Sequence, residues 1–205
     1  MTHIRHSEKV FNMKKLLLIL ILTFSFQTLT KADDIRDFEI EGMSIGDSLL
    51  QFYDKKQLDD IKETNSFKKK IHYKYCDDNK SKIYFDICIF TLKKDKKFKI
   101  ESIAGFIDCK HDISVCYKKQ KEIDNDIKQL FQNAKREVFE YKHAGDKTGN
   151  TKEKDIVYVL KSKAEIGTAV IDYGKEWTNN EGRQDHLQVF VDSKKYAKFL
   201  KTSAW

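Results

Sequence analysis

Apolar residues change their period along this chain, and each change marks a predicted element. Phe38, Ile40 and Met43 alternate with Glu39 and Glu41 in a short extended lead-in. Ser44, followed three residues later by Asp47, caps a predicted helix carrying Ile45, Leu49, Leu50 and Phe52. Asp54 with Gln57 supplies a second cap, for a further turn or two carrying Leu58 and Ile61. After Lys68-Lys69-Lys70 the period falls to two, the signature of half-buried strands. Ile71, Tyr73 and Tyr75 share one face of a first strand, and Phe85, Ile87 and Ile89 share one face of a second. Phe98, Ile100, Ala104 and Phe106 fall on one face of a third. The polar stretches 77–80 and 94–97 are turns of hairpin length.

The period then becomes helical. From Ile113 to Val138, Ile123, Ile127, Leu130, Phe131, Ala134 and Val138 recur at three and four, which predicts one long helix across the meander. Residues 142–155 read as a polar loop with Gly145 and Gly149. Strands over 156–160 and 166–173 follow, then a sixth carrying Leu187, Val189 and Val191. Asp192 or Ser193 caps a final helix that turns Tyr196, Phe199 and Leu200 inward. The order α-βββ-α-βββ-α predicts an α+β fold, an antiparallel sheet of about six strands in two three-stranded meanders with helices packed on it. No proline- or glycine-rich linker divides the halves, so residues 33–205 are expected to form a single domain.

Ahead of that domain stands an export signal. Lys14-Lys15 leads into the apolar run 16–22, which Thr23-Phe24-Ser25-Phe26 extends before Gln27 to Ala32 turns polar. Thr30 and Ala32 occupy the −3 and −1 positions of a cleavage site, so residues 1–32 read as a signal peptide. A spanning helix needs about 20 apolar residues, which this run does not supply. An uncleaved signal tethering the domain to the inner membrane is the alternative. Met13 begins a complete signal by itself, so residues 1–12 read as an upstream start wrongly assigned.

Composition alters this picture in two ways. The 205 residues include no proline, where about 5% usage predicts roughly ten. Only four of the 39 basic residues are arginine, at positions 5, 36, 136 and 183. Both features are expected from an AT-rich genome, and both weaken any argument from basicity, because phosphate-binding surfaces favour the arginine fork. Cleavage after Ala32 also removes five basic residues (Arg5, Lys9, Lys14, Lys15, Lys31) and one acid (Glu8), which lowers the net charge from +7 to +3. A near-neutral, mixed-sign surface argues against nucleic acid as the partner.

Cys76, Cys88, Cys109 and Cys116 form an even set inside the exported part, so the default expectation is disulfides and not zinc. A short first hairpin places Cys76 opposite Tyr84 and His72 opposite Cys88. That offsets Cys76 from Cys88 by about four residues, roughly 13 Å along the strand, whereas bridged Cα atoms are rarely more than about 7 Å apart. This register disfavours a Cys76–Cys88 bond. Cys109 and Cys116 flank a six-residue loop and can close it; Cys76–Cys109 and Cys88–Cys116 are the rival pairings. Cys109, His111 and Cys116 are also the candidates for a thiol nucleophile with its imidazole, or for a metal site, although catalytic partners rarely sit together in one loop. His143 and the Asp185-His186 pair read as surface or strand-edge residues. Gly145-Asp146-Lys147-Thr148-Gly149 lacks the spacing of a phosphate loop. Trp177, with Asn179-Asn180, is assigned to a turn between the fifth and sixth strands, capping the core edge or contacting a ligand.

The run 34–50 (Asp34-Ile35-Arg36-Asp37-Phe38-Glu39-Ile40 through Leu50), with Cys116-Tyr117-Lys118-Lys119 and the segment 145–149, resembles small exported proteins of AT-rich marine alphaproteobacteria of the Pelagibacter kind. The resemblance implies export and a Gram-negative envelope. It carries no catalytic residue and no cofactor.

These features lead to the expectation of a periplasmic or secreted, non-enzymatic domain that binds a protein or a small ligand without cofactor. A small envelope hydrolase built on a Cys/His pair is the alternative. Amino-terminal sequencing of the protein from the envelope fraction is expected to begin at Asp33; full-length protein in the membrane fraction would reverse the assignment.

Overall fold

The computed structural model describes residues 34–65, 67–143 and 146–204; the signal peptide predicted for residues 1–32 and its expected cleavage between Ala32 and Asp33 lie outside them. The architecture is α+β, as the pattern predicts, but with eight strands in one antiparallel sheet instead of about six. The strands are β1 (Lys62–Glu63), β2 (His72–Asp77), β3 (Asp86–Leu92), β4 (Ile100–Asp108), β5 (Lys135–Lys142), β6 (Lys152–Val159), β7 (Glu165–Asp172) and β8 (His186–Asp192). Helices α1 (Lys55–Asp60), α2 (Ile113–Leu130), α3 (Lys175–Glu181) and α4 (Lys194–Thr202) intervene. In the sheet the strands lie in the order β1-β2-β3-β4-β8-β7-β6-β5. The two meanders therefore meet along β4 and β8, where Ser102 to Asp108 pair with Asp192 to His186. No helix among the described residues is long and apolar enough to cross a membrane.

One face of the sheet is closed. Tyr75, Ile87, Ile89, Ile103, Ile156, Tyr158, Ile166 and Val191 pack there against Ile127 of α2, against Phe131 just past its end, and against Ile40, Met43 and Leu49 of the amino-terminal segment. Polar ties fix α2 in place. Asp112 accepts the Ser114 N–H at 2.9 Å to cap its start, and Gln120 donates to the Lys154 carbonyl at 2.9 Å. Asp124 accepts from Tyr158 at 2.6 Å and forms a two-pronged pair with Arg136 at 2.8 and 2.9 Å.

The opposite face is covered at one end only, where α4 sets Tyr196 and Phe199 against Phe67 and against the His72 ring. Ser193 caps α4 by accepting the Tyr196 N–H at 3.1 Å, and its hydroxyl donates to Glu101 at 2.5 Å. Close approach dictates two glycines. A Cβ at Gly105 would stand 2.5 Å from the Tyr84 ring, and one at Gly167 would stand 2.7 Å from Phe190.

Several expectations are corrected. The lead-in after Ser44 is not a helix: Gly46 takes φ +93, and the segment pairs with the start of β4 through Gly46 N–H to Ile100 O (2.9 Å) and Leu49 N–H to Phe98 O (3.0 Å). Only a 3₁₀ turn at Leu49–Gln51 remains, capped by Ser48. The Asp54/Gln57 capping box is present. The long helix stops at Leu130, and Val138 belongs to β5. Its 3–4 spacing from Phe131 and Ala134 mimics a continuing helix, and β5 is exposed along its length, so no buried alternation announces it. Ile100 and Ala104 do not share a face, because Glu101 is skipped in the β3–β4 ladder. That bulge turns Ile100 to the same side as Ile103. Trp177 lies in the short helix α3, not in a turn.

The cysteine register is also corrected. Cys76 pairs directly with Cys88, and His72 with Leu92. The two cysteines are bonded, with Cα atoms 4.1 Å apart, and Cys109 bonds Cys116 with Cα atoms 5.2 Å apart. The strand slips four residues from the short-hairpin register because residues 78–85 form the connection, where Ser81 accepts the Ile83 and Tyr84 N–H groups at 2.9 and 3.1 Å. An even slip leaves Tyr73, Tyr75, Ile87 and Ile89 on their own face, so alternation cannot detect it; Phe85, just before β3, does not join them as expected but turns to the opposite face, against Phe106 and His186. Two disulfides fit an oxidising compartment. Non-reduced intact mass after alkylation is expected to show no alkylated thiol. Replacing Cys76 and Cys88 together by alanine is expected to cost about 2–4 kcal/mol in a denaturant titration.

Candidate functional site

The open face of the sheet collects the polar chemistry. Along one row the ladders set Asp86, Phe106, Gln188, Ala169, Asp155 and Phe139 side by side across β3, β4, β8, β7, β6 and β5. The neighbouring row sets Asp108, His186, Ile171, Glu153 and Tyr141 together. Phe106, Gln188, Asp155 and Glu153 are partly exposed, while Phe139 and Tyr141 are open to solvent at 46% and 45%.

Rings continue from these rows into a belt at the end of the face remote from α4. Phe85 meets Phe106 at 6.2 Å between centroids, Phe106 meets His186 at 5.4 Å, and His186 meets Tyr173 at 5.7 Å. Tyr173 meets Trp177 at 5.8 Å, and Trp177 meets His143 at 5.2 Å. Arg183 stands 5.6 Å from the Trp177 ring. Local bonds place the belt. Asp185 accepts the Tyr173 N–H at 2.7 Å, and the Thr151 hydroxyl accepts the Gly174 N–H at 3.0 Å, which seats the start of α3 against the β5–β6 loop. That loop is held by Asp146, which accepts from the Thr148 hydroxyl (2.7 Å) and from the N–H groups of Thr148 and Thr151 (2.9 and 2.8 Å). These bonds, that from the Thr148 hydroxyl foremost, hold the Asp146 carboxyl well below the usual carboxylate range. The segment is a tied turn, not a phosphate cradle.

Within the face, Tyr141 donates to Asp155 at 2.7 Å. Burial pushes the Asp155 carboxyl up to about 6, the Tyr141 bond opposes the rise, and the Glu153 charge adds to it. Burial raises Glu153 as well. It also lowers His186, so that imidazole is neutral near pH 7. Asp155 Oδ1 has no hydrogen-bond partner and is sealed from solvent. The pair accordingly carries a proton more readily than two exposed acids would, and the surrounding rings make it an apolar surface with a titratable centre.

The sequence candidates fall elsewhere. Cys109 and Cys116 are bonded to each other and buried, so the Cys/His reading has no thiolate in this oxidised state. His111 is exposed. It borders a cavity of about 240 Å³ with Asp108, Arg183 and Asp185 at the ends of β4 and β8. Cys76, Cys88 and Asp86 bring possible metal ligands within 4.8 Å of one another, but the two sulfurs are spent on their mutual bond. His143, Trp177 and His186 join one belt, which their sequence positions do not suggest. Glu153 and Asp155 escape the sequence reading because residues 142–155 look like a loop, and Phe139 and Tyr141 because they fall between the end of the predicted helix at Val138 and the start of that loop. Two period-two signals mark them: Phe139 and Tyr141 alternate with Glu140 and Lys142, and the charges of Lys152-Glu153-Lys154-Asp155 alternate in sign. No protein-family model, curated protein or solved structure matches the chain.

The raised Asp155 fixes a pH dependence. Between about pH 4 and 6 the unfolded chain releases this proton before the folded one does, so stability falls as pH rises through that window, and the cost is complete above it. Asp155→Asn keeps an oxygen for Tyr141 and removes the charge. It is expected to raise stability by about 1–2 kcal/mol at pH 7.5, a few degrees in Tm, and to leave it unchanged below about pH 4. Thermal melts at the two pH values check this.

Proposed function

We propose that the protein is a non-enzymatic binding domain of the cell envelope and that its binding surface is the open face of the sheet. The observation that carries this reading is the asymmetry of the two faces. α2 and the amino-terminal segment cover one, while the other presents Phe85, Phe139 and Tyr141 at 45–46% exposure around a floor of Ala169, Gln188 and Asp155. Exposed apolar area rimmed by polar groups marks interaction surfaces more often than it marks idle ones. The rings supply area with little rotamer entropy to lose, and the acid pair adds a site for a hydrogen-bond donor or a cation. Export through a signal cleaved after Ala32 is part of the proposal. It is supported by the charged, apolar and polar order of residues 14–32, by the resemblance to exported proteins, and by the two disulfides.

Titration with the neutral dye N-phenyl-1-naphthylamine tests the surface. Saturable binding is expected, weakened at least about tenfold by Phe85→Ser with Phe139→Ser, which removes much of the exposed ring area, while circular dichroism is unchanged. Dye binding that ignores both substitutions, or no binding at all, would remove the open face as the site.

A further inference from the structure

We infer that the protein pairs with a second copy of itself along the free edge of β5, joining two sheets about a two-fold axis at Val138. The inference starts from the edge itself. β5 is the last strand of the sheet, and its eight residues pair with β6 without a register shift. Its other edge meets no strand among the described residues. The opposite margin is β1, only two residues long. Every residue of β5 is exposed or partly so, and Val138, Phe139 and Tyr141 account for three of the eight exposed large hydrophobics among the described residues. Sheet edges are normally blunted by bulges, proline, or charges that repel a copy of themselves. β5 has neither bulge nor proline, so its charges decide what it accepts.

Among the registers that pair five or more residues of β5, those charges are self-complementary in one. Antiparallel neighbours must place side chains of one face opposite side chains of the same face, so the axis must pass through a residue. Centred on Phe139, the pairing sets Arg136 against the second copy's Lys142. Centred on Glu137 or Glu140, it sets like carboxylates together. Centred on Val138, it puts the two Val138 side chains against each other and Arg136 against the second copy's Glu140, twice by symmetry. Arg136 already holds Asp124 at 2.8 Å and Glu140 already holds Lys154 at 2.5 Å. The join therefore threads an alternating row: Asp124, Arg136, then Glu140 and Lys154 of the second copy. On the open face Lys135 meets the second copy's Tyr141, and the two Phe139 rings become diagonal neighbours. An isologous contact of this kind closes on itself and uses up the β5 edge of both copies, leaving only the two-residue margins at β1.

Sedimentation equilibrium of the purified protein tests the inference. The expected result is a reversible, concentration-dependent equilibrium between one and two copies. Glu140→Arg sets arginine against Arg136 at both ends and should weaken association at least about tenfold. Val138→Asp, which brings two carboxylates onto the axis, should do the same. Lys142→Glu should leave association unchanged, because in this register Lys142 faces Ala134. Circular dichroism monitors folding of each variant. A wild-type protein that stays monomeric at every concentration, assembly beyond two copies, or a dimer that tolerates Glu140→Arg and Val138→Asp would overturn the inference. A dimer strengthened by Lys142→Glu would also overturn it, moving the axis to Phe139.

Discussion

The pairing of β4 with β8 is the join on which the rest of the molecule depends. Seven residues from each strand come together although Ser102 and its partner Asp192 stand far apart in sequence. Two meanders that each form from local hairpins thereby become one sheet. Contacts this distant carry a loop-closure cost before they return any stability, and both ends of the join are reinforced. At one end the Ser193 hydroxyl holds Glu101 while capping α4. At the other, the Cys109–Cys116 bond closes the passage from β4 into α2, and the Cys109 N–H reaches the Asp185 carbonyl beside β8.

The same join creates the difference between the faces. α2 leaves β4 and crosses the closed face on its way to β5 at the far edge, packing on β7 and β8 and burying Ile127, with Phe131 just past its end, in the core of that face. One crossing helix can cover one face only. The other is left to α4, which reaches only one end of it. Residues beyond the reach of α4 therefore remain partly wet, and that is where the aromatic belt and the Glu153/Asp155 pair lie. The α4 end carries its own buried acid. Burial lifts Asp192 to about 7, against a bond from Ser102 that favours its charge, with Glu165 and Lys201 both close by, and Lys201 paired to Glu165.

Much of this was legible in the residues alone, for a physical reason. A helix or strand with one buried face must repeat its apolar residues at its own period, so α4 with its Ser193 cap, the three strands from His72 to Asp108, and the strand carrying Leu187, Val189 and Val191 all announce themselves. The capping box at Asp54 and Gln57 is equally local. What alternation cannot report is anything that preserves it or lacks it. The four-residue slip that bonds Cys76 to Cys88 keeps Tyr73, Tyr75, Ile87 and Ile89 on their own face. The bulge at Glu101 brings Ile100 onto the face of Ile103 without a marker residue. β5 buries neither face, so its apolar residues fall where a helix would also put them.

The chain by itself thus determined the class of fold, the chemical character of the cysteines and the elements whose burial is one-sided. Tertiary structure alone decided the strand order, which sulfur meets which, and the gathering of His143, Tyr173, Trp177, His186 and Phe106 from four separate segments into one belt. It also decided which face stays open. Period and caps are properties of consecutive residues, whereas a face, an edge and a ring-to-ring contact exist only once distant strands have been laid side by side.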